Sequence, residues 1–397
     1  MTNDRNISEL QGKKVLIVFG SLELGGAERQ GLQFGRYLKE SQGCHVEVWG
    51  FNSPGRSTEI CKEAGIAWKI VPLPFSGNRL QGWWRYIEFV QHLRRLKPDV
   101  LLPYTTVPNL CCALARRWSG AKLCIWNQRD EGLERMKPSR ERKAIRRASY
   151  FIANATVGAE YLKNQHGVSN DRIRVIRNGI ELPGITRDRS IWRNKLGLQG
   201  NDFLVCMLAN FTPFKDHQTL IKAWPYVVRK LKEQGRSAKL ILAGHESTTF
   251  RAMQDLTLTM GVEDSVIFPG PVRDVHQLLQ SADLVAFSSV LEGCPNGVLE
   301  GMAAGLPVVA TDIPGIREAV GDAGIQYLVP PRDEQKLAEV ITLFALDPVL
   351  RNAVGHENRK RIAEHFSVQR MQNEMTELIN RLLSSWCSKS ISVSIIF

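Results

Sequence analysis

Residues 284–310 read LVAFSSVLEGCPNGVLEGMAAGLPVVA, and this stretch decides the fold class. A short apolar run, LVAF, is followed by a loop, a helical pattern and a second apolar run, VVA. Two short apolar strands joined through a helix form the βαβ unit of a parallel sheet. In such sheets ligands bind at the carboxyl ends of the strands, where helix N-termini present free N–H groups to anions. The loop that begins near Ser288 is therefore a candidate binding site.

The same alternation of strands and helices occurs twice along the chain. A first series opens with KVLIVF at Lys14–Phe19, and a second opens at Phe203–Leu208. Between them, residues 180–193 lose both periodicities and carry a Pro-Gly pair, which is typical of an interdomain linker. A chain of 397 residues is also too long for one ordinary core. We predict two Rossmann-like, doubly wound α/β domains that face each other across a cleft.

The predicted domain limits follow from where the periodicities change. The first domain covers 1–182 and the second covers 183–365. Helical periodicity continues to Leu383, and a helix over 366–384 is expected to pack back on the first domain. Residues 385–397 alternate serine with aliphatic residues, and no structure is predicted for them.

The composition is that of a globular protein, with 43% hydrophobic and 23% charged residues. No run approaches the roughly 20 apolar residues of a membrane-spanning helix, and the polar N-terminus lacks the apolar core of a signal peptide. A cytoplasmic location is expected, with peripheral association at the inner face of the membrane left open. The eight cysteines have no metal-binding spacing, so we interpret them as reduced thiols.

The net charge of +12 predicts attraction to phosphates, nucleic acid or anionic lipid. Much of this charge lies in Arg135–Arg147, with a smaller group at Arg94, Arg95 and Lys97. The longer segment is either a solvated helix face or a surface that binds anions.

Two acids, Glu292 and Glu300, bracket the loop and the start of the helix in EGCPNGVLE. Asn296 is a plausible N-cap, and the N–H groups of Asn296, Gly297 and Val298 suit a pyrophosphate. Carboxylates suit vicinal hydroxyl groups, from which they accept two hydrogen bonds. Taken alone, Glu300 is as readily explained as an ordinary helix residue.

Residues 292–318, EGCPNGVLEGMAAGLPVVATDIPGIRE, resemble the acid-x7-acid signature of glycosyltransferase family 4. These are retaining enzymes of the GT-B architecture that use nucleotide-sugar donors. GGAERQ at Gly25–Gln30 is similar to the glycine-rich turn of that family's first domain, and VIRNGIE at Val175–Glu181 to the sequence that closes that domain. The order of the three motifs is more specific than any one of them.

The resemblance implies roles for residues at matching positions. Glu300 would bind the donor ribose, Glu292 would lie near the donor sugar, and Lys215 would neutralise the donor pyrophosphate. The family usually has an arginine five residues before that lysine, where this chain has Asn210. Arg273, Arg129 or a divalent ion could supply the missing charge, although the family generally works without a metal, and we predict no metal site.

Further contacts are expected from both domains. Gly25 and Gly26 form the turn that would contact the donor, and His245 lies where the family has a glycine-rich turn facing it. His245 is equally explained as a surface histidine. After the strand LCIW, Arg129 or Asp130 would contact donor or acceptor, unless the two form a surface ion pair.

The predicted activity is that of a retaining hexosyltransferase-type enzyme. A sugar would pass from a nucleoside-diphosphate sugar, itself the donor substrate, to a glycan or lipid-linked acceptor in polysaccharide or cell-surface glycan biosynthesis. No further cofactor and no nucleic acid partner are expected. The basic segment would suit a lipid-linked diphosphate at an anionic membrane surface.

Other functions remain as alternatives. A nucleotide-sugar epimerase or a phosphorylase would share this architecture, although no pyridoxal lysine context is found for the phosphorylase. A non-catalytic basic module would bind nucleic acid or membrane and keep binding after loss of Glu292 and Glu300. A dinucleotide-dependent oxidoreductase is disfavoured because GSLELGGAE lacks the G-x-G-x-x-G spacing.

Overall fold

The structure, a computed structural model, describes residues 9–51, 53–130, 138–184 and 189–394. The chain forms two compact units. Unit 1 comprises Met1–Gly179 and Gln369–Phe397, and unit 2 comprises Ile180–Val368. The change of unit falls at the start of the predicted linker, of which residues 185–188 lie outside the described part of the chain.

Unit 1 is built on a seven-stranded parallel sheet in the order β3-β2-β1-β4-β5-β6-β7. Its elements before the chain enters unit 2 are β1 (Lys14–Phe19), α1 (Gly26–Gln42), β2 (His45–Phe51), α2 (Arg56–Glu63), β3 (Ala67–Val71), α3 (Arg79–Leu96), β4 (Val100–Pro103), α4 (Thr106–Ser119), β5 (Leu123–Gln128), α5 (Pro138–Arg147), β6 (Tyr150–Ala153), α6 (Thr156–His166) and β7 (Ile173–Val175). The central strands are apolar on both sides because helices cover both faces of the sheet.

Unit 2 is built on a six-stranded parallel sheet in the order β10-β9-β8-β11-β12-β13. Its elements are α7 (Ser190–Lys195), β8 (Phe203–Leu208), α8 (His217–Lys232), β9 (Ala238–Ala243), α9 (Phe250–Thr259), β10 (Val266–Gly270), α10 (Val275–Ser281), β11 (Leu284–Phe287), α11 (Asn296–Ala303), β12 (Val308–Thr311), α12 (Pro314–Ile325), β13 (Leu328–Val329), α13 (Glu334–Leu346) and α14 (Pro348–His365). One continuous core joins the strands and helices of this unit.

The last helix, α15 (Val368–Ser394), belongs to unit 1. Met371, Met375, Leu378, Ile379 and Leu383 place its apolar side in the same core as side chains of α1 and α2. The opposite face of the sheet is covered by α3, α4, α5 and α6. The helix continues past residue 384, where an undefined tail was expected, and residues 395–397 lie outside the described part.

Several elements of the structure are not predicted by the sequence patterns. α2, β3, α4 and α6 were not predicted, and α7 occupies part of the stretch expected to be linker. Of the basic segment, Arg135–Lys137 lie outside the described residues and the remainder forms α5. Across the described ranges, no helix is both long enough and apolar enough to traverse a lipid bilayer.

Candidate functional site

The centre of the unit 2 site is the point where the strand order of its sheet reverses. From β8 the chain adds β9 and β10 on one side, and then crosses to β11, β12 and β13 on the other. The loops that leave β8 and β11 therefore diverge at adjacent carboxyl ends and open a crevice between them. In doubly wound sheets this crevice is where ligands bind.

Lys215 and Glu292 meet at this position. Lys215 ends a short 3-10 turn between β8 and α8, and Glu292 lies in the loop between β11 and α11. The Lys215 Nζ donates a hydrogen bond to Glu292 Oε1. The two side chains are only 20% and 10% exposed, so the ion pair is shielded from solvent. The structure thus joins two of the three residues predicted to be catalytic.

Backbone contacts hold these two loops together. Ser288 Oγ donates to the carbonyl of Asp216 at 2.6 Å, and the N–H of Val290 donates to the carbonyl of Phe214 at 2.9 Å. At Gly315, at the start of α12, a Cβ atom would lie 2.1 Å from the carbonyl oxygen of Glu292. Only glycine allows this approach. Ser288 and Gly315 were not predicted as site residues, although the Pro-Gly pair at a strand-to-helix turn was a usable signal.

The N-terminus of α11 opens at the same edge of the sheet. Pro295, not Asn296, is the N-cap, which corrects the prediction, because Asn296 already has helical geometry and the N–H of Leu299 makes the first helical bond to the Pro295 carbonyl. The N–H groups of the first helical residues have no partner within the helix, as at any helix start. Val298 is fully buried, so only its backbone can serve a ligand.

One glycine, Gly297, and one acid, Glu300, complete the first turns of α11. A Cβ on Gly297 would lie 2.6 Å from the carbonyl oxygen of Leu208, so glycine lets α11 begin against the end of β8. Glu300 is the fifth residue of α11 and is half-buried. Glu292 and Glu300 therefore project from a loop and a helix respectively, as expected.

Asn210, at the position where the family has arginine, contacts the turn after β9. Its Oδ1 accepts a hydrogen bond from the N–H of His245 at 3.1 Å, and the His245 carbonyl accepts one from the N–H of Phe211 at 3.1 Å. His245 itself is exposed. Arg273 is also exposed and follows β10, at the same edge of the sheet but one strand further from the switch point.

Buried polar groups without hydrogen bonds accompany the ion pair. His217, the first residue of α8, is 1% exposed and stacks on Phe211 with ring centroids 4.3 Å apart. Neither of its ring nitrogens has a hydrogen-bond partner. Burial lowers the pKa of His217 from 6.5 to about 4, and the charge of Lys215 acts in the same direction, while the nearby Ala209 carbonyl opposes the shift. His217 is therefore neutral at pH 7, a feature that sequence patterns do not show.

Unit 1 has its own switch point, between β1 and β4. Gly25 and Gly26 lie after β1, with Gly25 as the N-cap of α1. The Gly25 N–H donates to Glu28 Oε2 at 3.1 Å. The pKa of Glu28 is raised above its ordinary value, mainly because the side chain is buried. Hydrogen bonds to the backbone at Glu28 and Gly25 and the charge of Arg129 act in the opposite direction. Glu28 was not among the predicted residues.

Arg129 follows β5, the neighbour of β4. Its guanidinium lies 5.5 Å from the ring centroid of Tyr104, and its Nη2 donates to Asn178 Oδ1 at 2.8 Å. Asp130 instead accepts from Gln128 Nε2, at 3.1 Å to its Oδ1.

Gln30 joins the two unit 1 motifs directly. Its Nε2 donates to the Gly179 carbonyl at 2.9 Å, and its Oε1 accepts from the Gly179 N–H at 2.8 Å. Gln30 is 4% exposed. GGAERQ and VIRNGIE, 149 residues apart at this contact, thus form one hydrogen-bonded unit.

Comparisons with known proteins agree with this organisation. The model of the family described as Glycosyltransferase Family 4 matches residues 24–182, and that of Glycosyl transferases group 1 matches residues 188–361. The putative glycosyltransferase EpsD of Bacillus subtilis is 35% identical over 186 residues, which are 47% of this chain and 47% of that protein. D-inositol 3-phosphate glycosyltransferase of Saccharomonospora viridis is 25% identical over 265 residues, 64% of this chain and 61% of that protein. The chain thus spans only about half of the first of these relatives and less than two thirds of the second.

Solved structures match over almost the full length. Anabaena Alr3699/HepE, solved in complex with UDP and glucose, superposes with a TM-score of 0.80 at 22% identity, covering 93% of this chain and 100% of that one. WaaG, a glycosyltransferase involved in lipopolysaccharide biosynthesis, gives a TM-score of 0.68 at 17% identity, covering 92% and 99%. The predicted fold class, two Rossmann-like domains of the GT-B type, is confirmed. Because the two family models match successive parts of the chain in the order and at the motifs described above, this protein belongs to the group 1, family 4 glycosyltransferases.

Proposed function

We propose that this glycosyltransferase takes a sugar from a nucleoside-diphosphate sugar bound at the carboxyl edge of the unit 2 sheet and transfers it with retention of anomeric configuration. The Lys215–Glu292 ion pair at the switch point carries this proposal. It places a cation and an acid in a shielded position beside the N-terminus of α11.

The chemistry of the departing group explains the arrangement. A leaving diphosphate accumulates negative charge as the glycosidic bond breaks, and a fixed cation with helix N–H groups stabilises that charge. Lys215 would exchange its bond to Glu292 for bonds to phosphate oxygens when the donor binds. Glu292, released from Lys215, would accept hydrogen bonds from sugar hydroxyls, and Glu300 would accept them from the ribose.

The position usually occupied by an arginine does not supply a cation in this chain. Asn210 serves instead as a hydrogen-bond acceptor for the turn at His245. Arg273, exposed at the same edge of the sheet, is the candidate for a second contact to the diphosphate. His245, in the turn that Asn210 supports, is the candidate for a neutral contact. No metal is required in this proposal.

A uridine diphosphate sugar is the first donor to test. The structures of HepE include complexes with UDP and with UDP-glucose. Their similarity to this chain supports the fold, and the donor is inferred from it by analogy.

The acceptor is proposed to be a glycan or a lipid-linked glycan of a polysaccharide or cell-surface pathway. Gly25, Gly26 and Arg129, at the carboxyl edge of the unit 1 sheet, would contact donor or acceptor. The basic side chains of α5 would suit a lipid-linked diphosphate presented at the inner face of the cytoplasmic membrane.

A donor panel tests the proposal. Uridine, guanosine and adenosine diphosphate sugars would be incubated with the parent and with Glu300→Ala and Lys215→Ala, and the released nucleoside diphosphate measured. We expect one donor to be turned over and both variants to lose at least about tenfold in kcat/KM. Glu357→Ala is the matched control, since Glu357 is an exposed helix glutamate of the same unit.

The outcomes separate the alternatives. Turnover that falls in both variants but not in the control supports the transferase, and NMR of the product would assign the anomeric configuration. Interconversion of nucleotide sugars without an acceptor would favour the epimerase. If no nucleotide sugar binds or reacts, the proposal fails.

A further inference from the structure

An apolar stripe on α3 faces away from the core of unit 1. Leu80, Trp83, Trp84 and Ile87 are 74%, 50%, 70% and 41% exposed. Their spacing of three, four and seven residues places them on one side of the helix. The other side buries Tyr86, Phe89 and Leu93 against the sheet. An α-helix needs only one apolar side to pack on a sheet, so packing leaves the outer stripe unexplained.

A basic surface lies on helices that cover the same face of the unit 1 sheet as α3. Five basic side chains and one serine line a surface recess of about 580 Å³, and these are Arg117, Ser139, Arg142, Lys143, Arg146 and Arg147. Arg117 is at the end of α4 and the others are on α5. The acid on α5, Glu141, is turned inward, where its Oε1 lies 3.5 Å from His166 Nε2. It therefore does not neutralise the exposed cations.

Aromatic contacts connect α3, which carries the stripe, with α5, which carries most of the recess. Phe75 packs edge-on against Trp83, with ring centroids 6.1 Å apart, and the guanidinium of Arg140 lies 4.7 Å from the Phe75 ring centroid. α3, α4 and α5 also pack on the same face of the sheet. The stripe and the basic recess thus belong to one surface, which we call the α3–α5 surface.

We propose that the α3–α5 surface docks on an anionic lipid bilayer, with the α3 stripe inserted at the level of the headgroups. Tryptophan is enriched at membrane–water interfaces because its ring is both apolar and polar. Leucine and isoleucine would contact the upper acyl chains, as on helices that lie in the interface plane. The cations of the recess would contact lipid phosphates.

Charge favours a membrane over other occupants. A symmetric contact with a second copy would bring two basic recesses into the same interface, where they repel. Nucleic acid would match the cations but offers no environment for Leu80 and Ile87. A bilayer with anionic headgroups matches both the apolar and the basic part.

Co-sedimentation with vesicles tests this proposal. The parent protein would be mixed with vesicles of phosphatidylcholine alone or of an equimolar mixture of phosphatidylcholine and phosphatidylglycerol. We expect binding to the mixture, weak binding to phosphatidylcholine, and a decrease as salt is raised. Leu80→Ser with Trp84→Ser, the two most exposed stripe positions, should weaken partitioning by at least about tenfold.

Charge variants test the second part. Arg142→Glu, Lys143→Glu and Arg146→Glu together should also weaken binding by at least about tenfold. The matched control reverses three charges elsewhere, at Lys222, Arg229 and Lys232 on the exposed side of α8. A second control, Leu258→Ser, changes an apolar residue of α9 that is 63% exposed. Circular dichroism would confirm that every variant is folded.

The vesicle-binding results test the proposal independently of catalytic activity. It is overturned if the parent ignores anionic vesicles, or if the controls weaken binding as much as the surface variants. It is also overturned if the parent is a dimer that the α3 variant converts to monomer, since the stripe is then a protein interface. Turnover of a soluble donor should be unchanged in the variant that combines Leu80→Ser with Trp84→Ser, because neither residue is assigned to a donor or acceptor contact, so loss of membrane binding and loss of transferase activity are distinguishable.

Discussion

Lys215 donates a hydrogen bond to Glu292 across 77 residues of sequence. The pair lies where the unit 2 strand order reverses, so both residues are placed by the sheet rather than by local sequence. The backbone bonds from Ser288 and Val290 keep their loops in register. The structural role of this pair and the chemical role proposed for it can be separated by experiment.

Lys215→Met should lower kcat/KM for the donor by about 10²–10³, because a fixed cation at the leaving diphosphate is lost. It should also lower the free energy of unfolding by about 2 kcal/mol, since Glu292 is left shielded and unpaired. Adding Glu292→Gln should restore stability but not activity. Urea unfolding and steady-state kinetics measure the two effects. Lys222→Met, at an exposed lysine of α8, is the control, and a comparable loss of activity there would contradict the assignment.

Gly315→Ala should displace the loop that holds Glu292. An added Cβ would lie 2.1 Å from the Glu292 carbonyl oxygen and 2.3 Å from that of Gly293, so the backbone must shift. We expect at least about a tenfold fall in kcat/KM through misplacement of the carboxylate. Gly200→Ala is the control, because a Cβ there meets nothing within 4 Å. Equal kcat/KM values for the two variants would show that activity does not depend on the position of the loop that carries Glu292.

His217 predicts a pH dependence of stability. Burial lowers its pKa from 6.5 to about 4, so the unfolded chain takes up a proton at a pH where the folded protein does not. Above pH 6.5 the ring is neutral in both the folded and the unfolded state, and burial of the neutral ring contributes fully to the free energy of unfolding. As the pH falls through 6.5 towards about 4 the contribution is lost, by about 3 kcal/mol in total.

His217→Phe should flatten this dependence while keeping an aromatic ring stacked on Phe211, because phenylalanine cannot take up a proton. The measurement is the difference in urea unfolding free energy between parent and variant at pH 7 and pH 5. The variant should be relatively more stable at pH 5. A difference that is the same at both pH values would rule out a neutral buried histidine. His356→Phe, at an exposed histidine of α14, serves as control.

Gln30→Ala should destabilise unit 1 by about 2–6 kcal/mol. The substitution leaves the N–H and the carbonyl of Gly179 without their partners in a buried place, and each such group costs about 1–3 kcal/mol. Gln91→Ala, at an exposed position on α3, should change stability by less than about 0.5 kcal/mol. Thermal unfolding followed by circular dichroism compares the two. Similar melting temperatures would mean that the Gln30 contact is not stabilising.

Some features followed from the sequence because they depend on short segments. The βαβ alternation comes from apolar runs that must be buried on both faces of a parallel sheet, and it indicated two α/β units with most of their central strands. Glu292 and Glu300 were recognised because their spacing and the turn before the helix are local. The weaker elements α2, β3 and α6 were missed, since short segments take their structure from the packing around them.

The sequence by itself determined the class of fold, the order of the motifs and the residue types available at the strand ends. Only the tertiary structure decided which of those residues meet. Lys215 with Glu292, Arg129 with Asn178, and Gln30 with Gly179 are each joined by strand order, across 77, 49 and 149 residues. The structure also decided that the α3 stripe faces outward. Periodicity shows that a helix side is apolar, but burial depends on what the rest of the chain places against it.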